Sequence, residues 1–120
     1  SLAAFGRLQI QNNTTVNISS SAATTATITG NSGALSITSG SKLNLNGSNP
    51  ISIQLSSNTS STVNGEISFS GAGHRILPQD VSSSTSLNFE SSSIFTANTG
   101  FTGYPFGSQY SGTVKFKSGS

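Results

Sequence analysis

Apolar residues alternate with Ser, Thr, Asn and Gln in short runs along this chain, and the stretch from Ala34 to Leu55 shows the pattern most clearly. Three runs, Leu35-Ser36-Ile37, Leu43-Asn44-Leu45 and Ile51-Ser52-Ile53-Gln54-Leu55, place apolar side chains at i and i+2, with Gly, Ser, Asn and Pro between them. Successive side chains of a strand point to opposite faces, so each run predicts a short strand with one apolar and one polar face. The alternation recurs upstream at Leu8-Gln9-Ile10, Val16-Asn17-Ile18 and Ala26-Thr27-Ile28, with strand centres near residues 9, 17, 27, 36, 44 and 52. A spacing of about eight to ten residues over six successive runs is a repeat signal. Nowhere do apolar residues fall at i, i+3, i+4 and i+7 among good helix formers, so no helix longer than a turn is expected.

Evenly spaced short strands fit a sandwich, an up-and-down barrel or a β-solenoid. Antiparallel hairpin sheets use strands of ~5–6 residues and paired turn dipeptides, whereas these runs are shorter and have loose Ser-rich corners. Corners of that kind suit a coil in which each strand pairs in parallel with its equivalent one turn later, so that similar residues recur at the coil period. Ile18, Leu45, Phe69, Phe89 and Phe116 each end an apolar-x-apolar triplet, at intervals of 27, 24, 20 and 27 residues. The expected fold is therefore all-β, a single right-handed parallel β-helix over residues 1–120, four to six coils long with about three short strands per coil. A two-strand coil of about 17 residues fits the first half nearly as well. The predicted core is Ile18, Ile28, Ile37, Leu45, Ile53, Phe69, Phe89 and Phe116.

The second half is less regular. Glu66 to Ser70 and Leu87 to Glu90 read as strands, Pro78 marks a strand end or edge, and Gly100 to Gly107 is an aromatic, turn-rich loop whose rings are expected to pack down on the solenoid. Composition supports a narrow core. Hydrophobic residues make up 32% and charged residues 7% of the 120 residues, against a usual ~45–50% and ~25%. The apolar residues are largely β-branched or aromatic and alternate, which separates the chain from a disordered one. Ser, Thr and Asn together reach about two-fifths of the chain and suit tight turns and outward strand positions.

Charge and reactive side chains then narrow the functions. Arg7, Lys42, Arg75, Lys115 and Lys117 are scattered and form no basic run, which argues against nucleic acid as a partner. No stretch nears the ~18 apolar residues of a membrane span. With no Cys and one His, a closed His/Cys metal site is not expected, nor is a calcium site without clustered Asp. No cofactor is expected and no catalytic residue is assigned. Glu66, Asp80 and Glu90 are the only carboxylates. Glu66 and Glu90, 24 residues apart, would be about one coil apart, as an acid pair requires, but two exposed strand charges are the simpler expectation. Asn17 and Asn44, 27 apart, are expected to stack and satisfy each other's amides.

Two clusters remain as candidate sites. Phe101, Tyr104, Phe106 and Tyr110 are candidate contacts for a sugar face or a protein partner, set against simple packing under the loop. His74, Arg75 and Asp80 form a candidate polar cluster, set against a hydrogen-bonded Gly-rich corner. The alternating hydroxyls of Thr25, Thr27 and Thr29 have the form of one row of a crystal-binding face, which needs several stacked rows. Sequons at Asn12, Asn13, Asn17, Asn46 and Asn58 permit glycosylation.

The segments TVNGEISFSGAGHRILPQD, SLNFESSSIFTANTGFTGYPFG and GTVKFKSGS, within residues 62–120, resemble segments of large secreted surface proteins of Bacteroidetes. The resemblance is carried by Gly73-His74-Arg75, by Phe101-x-Gly-x-Pro105-Phe106-Gly107 and by the closing Phe-x-Ser-Gly-Ser. It implies a β-helical fold, export often by the type IX secretion system, an extracellular or cell-surface location and an adhesive or structural role, and it brings no catalytic motif. The start at Ser1 without Met and the end just after the strand-like Thr113 to Lys117 suggest a processed product or part of a longer chain. The expected function is that of a non-enzymatic stalk, filament subunit or adhesin segment, stacking on other copies of itself or on the rest of a longer solenoid. The alternative is a carbohydrate-binding module that uses the Phe101 to Tyr110 loop, with surface glycans as partners.

Overall fold

The computed structural model describes residues 2–78, 84–107 and 114–120, so Asp80 and Tyr110 lie outside the described residues. All regular structure in that range is strand. The first coil contains β1 (Leu2–Phe5), β2 (Leu8–Ile10) and β3 (Thr15–Ile18), and the second contains β4 (Thr24–Ile28), β5 (Leu35–Ile37) and β6 (Lys42–Leu45). The third contains β7 (Ile51–Leu55), β8 (Ser60–Val63) and β9 (Glu66–Phe69), and the fourth β10 (Arg75–Pro78), β11 (Ser86–Phe89) and β12 (Ile94–Ala97). A last strand, β13 (Val114–Phe116), pairs with β11. The sheets run β1-β4-β7-β10, β2-β5-β8-β11-β13 and β3-β6-β9-β12, every pairing parallel. The protein is a β-solenoid of about four turns with three strands per coil.

Register turns the alternation in sequence into columns in space. In the second sheet Ile10, Ile37, Val63 and Phe89 stack along the inside, continued by Phe116. In the third, Val16, Leu43, Ile67 and Phe95 form one inward column, and Ile18, Leu45, Phe69 and Ala97 the other. Ile28, Leu55 and Pro78 close the first sheet's side of the core. Among the polar residues that enter this interior is Ser61, which lies in the column of Leu87 and Val114, is buried, and accepts the Leu35 N–H on its hydroxyl at 3.1 Å. Its polarity is thereby matched, as burial requires.

Two expectations need correction. Phe69 and Phe89 do not share a column. Their 20-residue spacing is a step between sheets, since Phe89 stands over Val63 and Ala97 over Phe69; true register offsets run from 23 (Leu2 to Thr25) to 28 (Glu66 to Ile94). Ile18 and Phe116 are also less buried than the rest of the predicted core, because each sits in a terminal coil with a neighbour on one side only. Phe116 remains 54% exposed.

The corners take up the differences in coil length. At the turn from the third sheet to the first, Gly47, Gly71 and Gly100 lie one above another, with φ of 94°, 88° and 81°. A Cβ on Gly71 would lie 2.5 Å from the Gly47 carbonyl oxygen. Both the left-handed backbone and the close stacking of coils therefore require glycine here. Gly71→Ala is expected to lower stability by about 2–4 kcal/mol in urea unfolding, whereas Gly6→Ala, where an added methyl meets nothing within 4 Å, should change it by less than about 0.5 kcal/mol.

Candidate functional site

The aromatic loop follows β12 and lies across the carboxy-terminal end of the solenoid. Ile76 N–H on the free edge of β10 donates to Pro105 O at 2.8 Å, so the loop runs where a further strand of the first sheet would lie. From there Phe106 reaches over the open interior. Its ring centroid lies 5.1 Å from Phe95, 5.5 Å from Phe89, 5.9 Å from Phe116 and 6.4 Å from Phe69. Phe101 adds a contact with Phe69 at 5.5 Å, and Phe89 stacks on Phe116 at 4.5 Å. These are ordinary aromatic pair separations. Rings from two sheets and the loop thus form a plug over the end of the core. Tyr104 points away from it and is 68% exposed. Among the described rings of the candidate loop, then, two pack and one is free.

His74 and Arg75 are separated by the alternation of a strand. His74 is fully buried, while Arg75 is exposed on the outer face beside Ser52. His74 Nδ1 accepts the Ile51 N–H at 3.2 Å, and His74 Nε2 lies 2.8 Å from the Ser70 carbonyl oxygen. An acceptor at Nδ1 and a donor at Nε2 define the neutral Nε2–H tautomer. The imidazole thereby bridges the third coil and the corner before β10. It stacks edge-on against Phe69 at 6.0 Å.

The two described carboxylates do not converge either. Glu66 begins β9 and stacks between Lys42 and Ile94, with its Oε1 3.3 Å from Lys42 Nζ. Glu90 lies at the corner after β11, 2.8 Å from Lys117 Nζ. Each acid thus takes up a lysine on the adjoining coil. Asn17 and Asn44 stand in register, and Asn44 Nδ2 donates to Asn17 Oδ1 at 2.8 Å. The Thr25 and Thr27 columns continue as Ser52, Arg75 and as Gln54, Leu77, so the threonine row does not repeat from coil to coil.

One concave feature has no counterpart in the pattern of apolar residues. At the corner between the second and third sheets, four residues connect the strands in the first, second and fourth coils (11–14, 38–41 and 90–93), but only Asn64 and Gly65 do so in the third. The shortened corner leaves a notch of about 260 Å³, lined among others by Ser39, Lys42, Asn64, Glu66, Ser92 and Ile94. The Asn64-Gly65 turn is visible in the sequence, but its recess depends on the lengths of the corners stacked around it.

Three substitutions test this division of labour. Phe106→Ala is expected to destabilise the fold by about 2–4 kcal/mol and Tyr104→Ala by less than about 0.5 kcal/mol, both read by urea unfolding. His74→Phe keeps a ring but leaves the Ile51 N–H and the Ser70 carbonyl without partners, and should cost about 2–4 kcal/mol; imidazole nitrogen shifts of the parent protein should report the Nε2–H tautomer. Comparison of the chain with protein-family models, with curated proteins and with solved structures finds no match, so its function has to be inferred from this geometry.

Proposed function

We propose that this solenoid is an extracellular structural or adhesive module that stacks end to end on further solenoid coils, either those of another copy or those of a longer polypeptide. The observation that carries the reading is the difference between the first coil and the second. Phe5, Leu8, Val16 and Ile18 are only partly buried, while their register partners Ile28, Leu35, Leu43 and Leu45 are completely buried. The difference is a neighbouring coil. β1, β2 and β3 each have a pairing partner on one side only among the described residues. Such an end combines free ladder groups with an apolar interior, which is the surface that another β-coil covers. At the opposite end Tyr104 and Phe116 are exposed, while Ile94, the third exposed large hydrophobic side chain among the described residues, lies on the outer face beside Glu66.

The surface location rests on the resemblance to secreted Bacteroidetes segments, and the non-catalytic reading on the separate lysine pairing of Glu66 and Glu90. A carbohydrate-binding role for the aromatic loop is the second reading. It is favoured by the outward ring of Tyr104 and weakened by the packing of Phe101 and Phe106.

Sedimentation velocity and electron cryomicroscopy test the first reading. Assembly is expected to rise with concentration through the open amino-terminal end and to give pairs of solenoids roughly 40–50 Å long, at ~4.8 Å per coil. Val16→Lys, which puts a charge at the open end, should abolish it. A monomer at every concentration, unaffected by Val16→Lys and with no longer parent chain, would exclude end stacking. Glycan binding lost in Tyr104→Ala, with folding intact, would favour the second reading.

A further inference from the structure

The notch at the second corner is not used by end stacking, and its construction is specific. Asn64 and Gly65 N–H groups both donate to the Ile37 carbonyl, at 2.8 and 3.2 Å, and Glu66 N–H donates to Ser41 O at 3.0 Å. These bonds pull the short corner inward beneath residues 38–41. A side chain on Gly65 would collide with the carbonyl oxygens of Ser41 and Thr38, so glycine is needed for the recess to form.

The lining combines three kinds of group. Lys42 and Glu66 face each other as a partly exposed pair, their side chains 33% and 27% accessible. Both described contacts of the carboxylate fall on one oxygen: Lys42 Nζ lies 3.3 Å from Oε1, and Thr96 Oγ1 donates to Oε1 at 2.9 Å. No hydrogen bond from the described residues ends on Oε2, which leaves that oxygen able to accept one. Ser39, Asn64 and Ser92 add exposed hydroxyl and amide groups. Ile94, beside Glu66 in register and 53% exposed, supplies an apolar wall.

The formal charge of the lining is zero, one Lys against one Glu, which favours neither a phosphate nor a cation. A divalent ion would also want more carboxylates, and the described residues contain no group of three metal ligands. A ligand with hydroxyls around a flat C–H face matches all three groups. Adjacent hydroxyls would donate to Glu66 Oε2 and accept from Lys42, in charge-assisted bonds, while the C–H face rests on Ile94. At about 260 Å³ the notch falls below the ~300–1,000 Å³ of pockets for drug-sized ligands, so it admits one ring rather than a chain. We propose that it is a binding site for a single pyranose residue of a neutral glycan, separate from the aromatic loop.

The test is an amide-detected NMR titration of the intact 120-residue chain with the methyl pyranosides of glucose, galactose and mannose. At least one is expected to give saturable shifts over residues 39–42, 64–66 and 92–94, with a dissociation constant on the order of millimolar. Glu66→Gln should weaken binding about tenfold, and Asn64→Trp, which fills the notch from an exposed position, should abolish it. Both variants are checked for an otherwise unchanged amide spectrum, and Tyr104→Ala should bind like the parent. Absence of saturable shifts with all three glycosides, or shifts centred on residues 101–107 that vanish in Tyr104→Ala, would overturn the proposal.

Discussion

The structure depends on one constraint: every strand pairs in parallel and in register with its equivalent one coil away. A slip of one residue would turn each apolar column outward. With two or three inward side chains per strand, no single coil can bury its own core. The interior exists only as stacked columns, such as Ile10, Ile37, Val63 and Phe89. Outward residues are tied in the same way, by pairs one coil apart: Asn17 with Asn44, Lys42 with Glu66, and Lys117 with Glu90. Exposed ion pairs of this kind contribute at most ~1 kcal/mol each, so they mark register more than they secure it. The low charge and apolar content of the chain follow from this plan. A thin interior needs few apolar residues, and an outer surface of Ser, Thr and Asn follows from the alternation.

Much of this was legible in the residues. The i, i+2 alternation located the strands from β2 to β7, and the recurrence of similar residues at 24 and 27 residues gave the column of Ile18, Leu45 and Phe69. It failed at Phe89, which looks like the next member of that column and belongs to another sheet. Alternation records which face a residue takes but not which of three equivalent sheets it joins; that depends on corner length, and the fully described corners vary from two residues (64–65) to six (29–34). The depth of His74 was hidden for a related reason. A His after Gly-Ala-Gly reads as part of a corner hydrogen-bonded to the backbone, and its ring does bond Ser70 O and Ile51 N–H, but it falls at the inward position, where Ile51 and Thr24 stand in the coils below. The burial of the ring was set by register, and its polarity was then met by two backbone partners.

The two ends solve the same problem differently. A coil with no neighbour leaves apolar side chains and ladder groups uncovered, and the carboxy-terminal end answers with rings. Phe106 alone touches phenylalanines of two sheets, and Pro105 satisfies one donor of the exposed edge with its carbonyl. A proline suits that position because its carbonyl accepts from β10 and it has no N–H of its own that needs a partner. The amino-terminal end shows no comparable plug among the described residues. Phe101 and Phe106, which read in sequence either as packing under the loop or as binding contacts, are therefore better explained by the open core they cover.

Strand positions in such a fold have little freedom to change, because a residue that alters register alters every coil stacked on it. Corners have that freedom, since their residues meet only the corners above and below. Losing two residues at Asn64-Gly65 leaves Val63 over Ile37 and Glu66 over Lys42 in register, and yet it makes a recess. Its walls come from the corners of neighbouring coils and its floor from the first outward residues of the third sheet. A site can thus arise in a solenoid by shortening one corner, without moving a core residue. This separates the part of the chain that holds the fold from the part that is free to acquire a ligand.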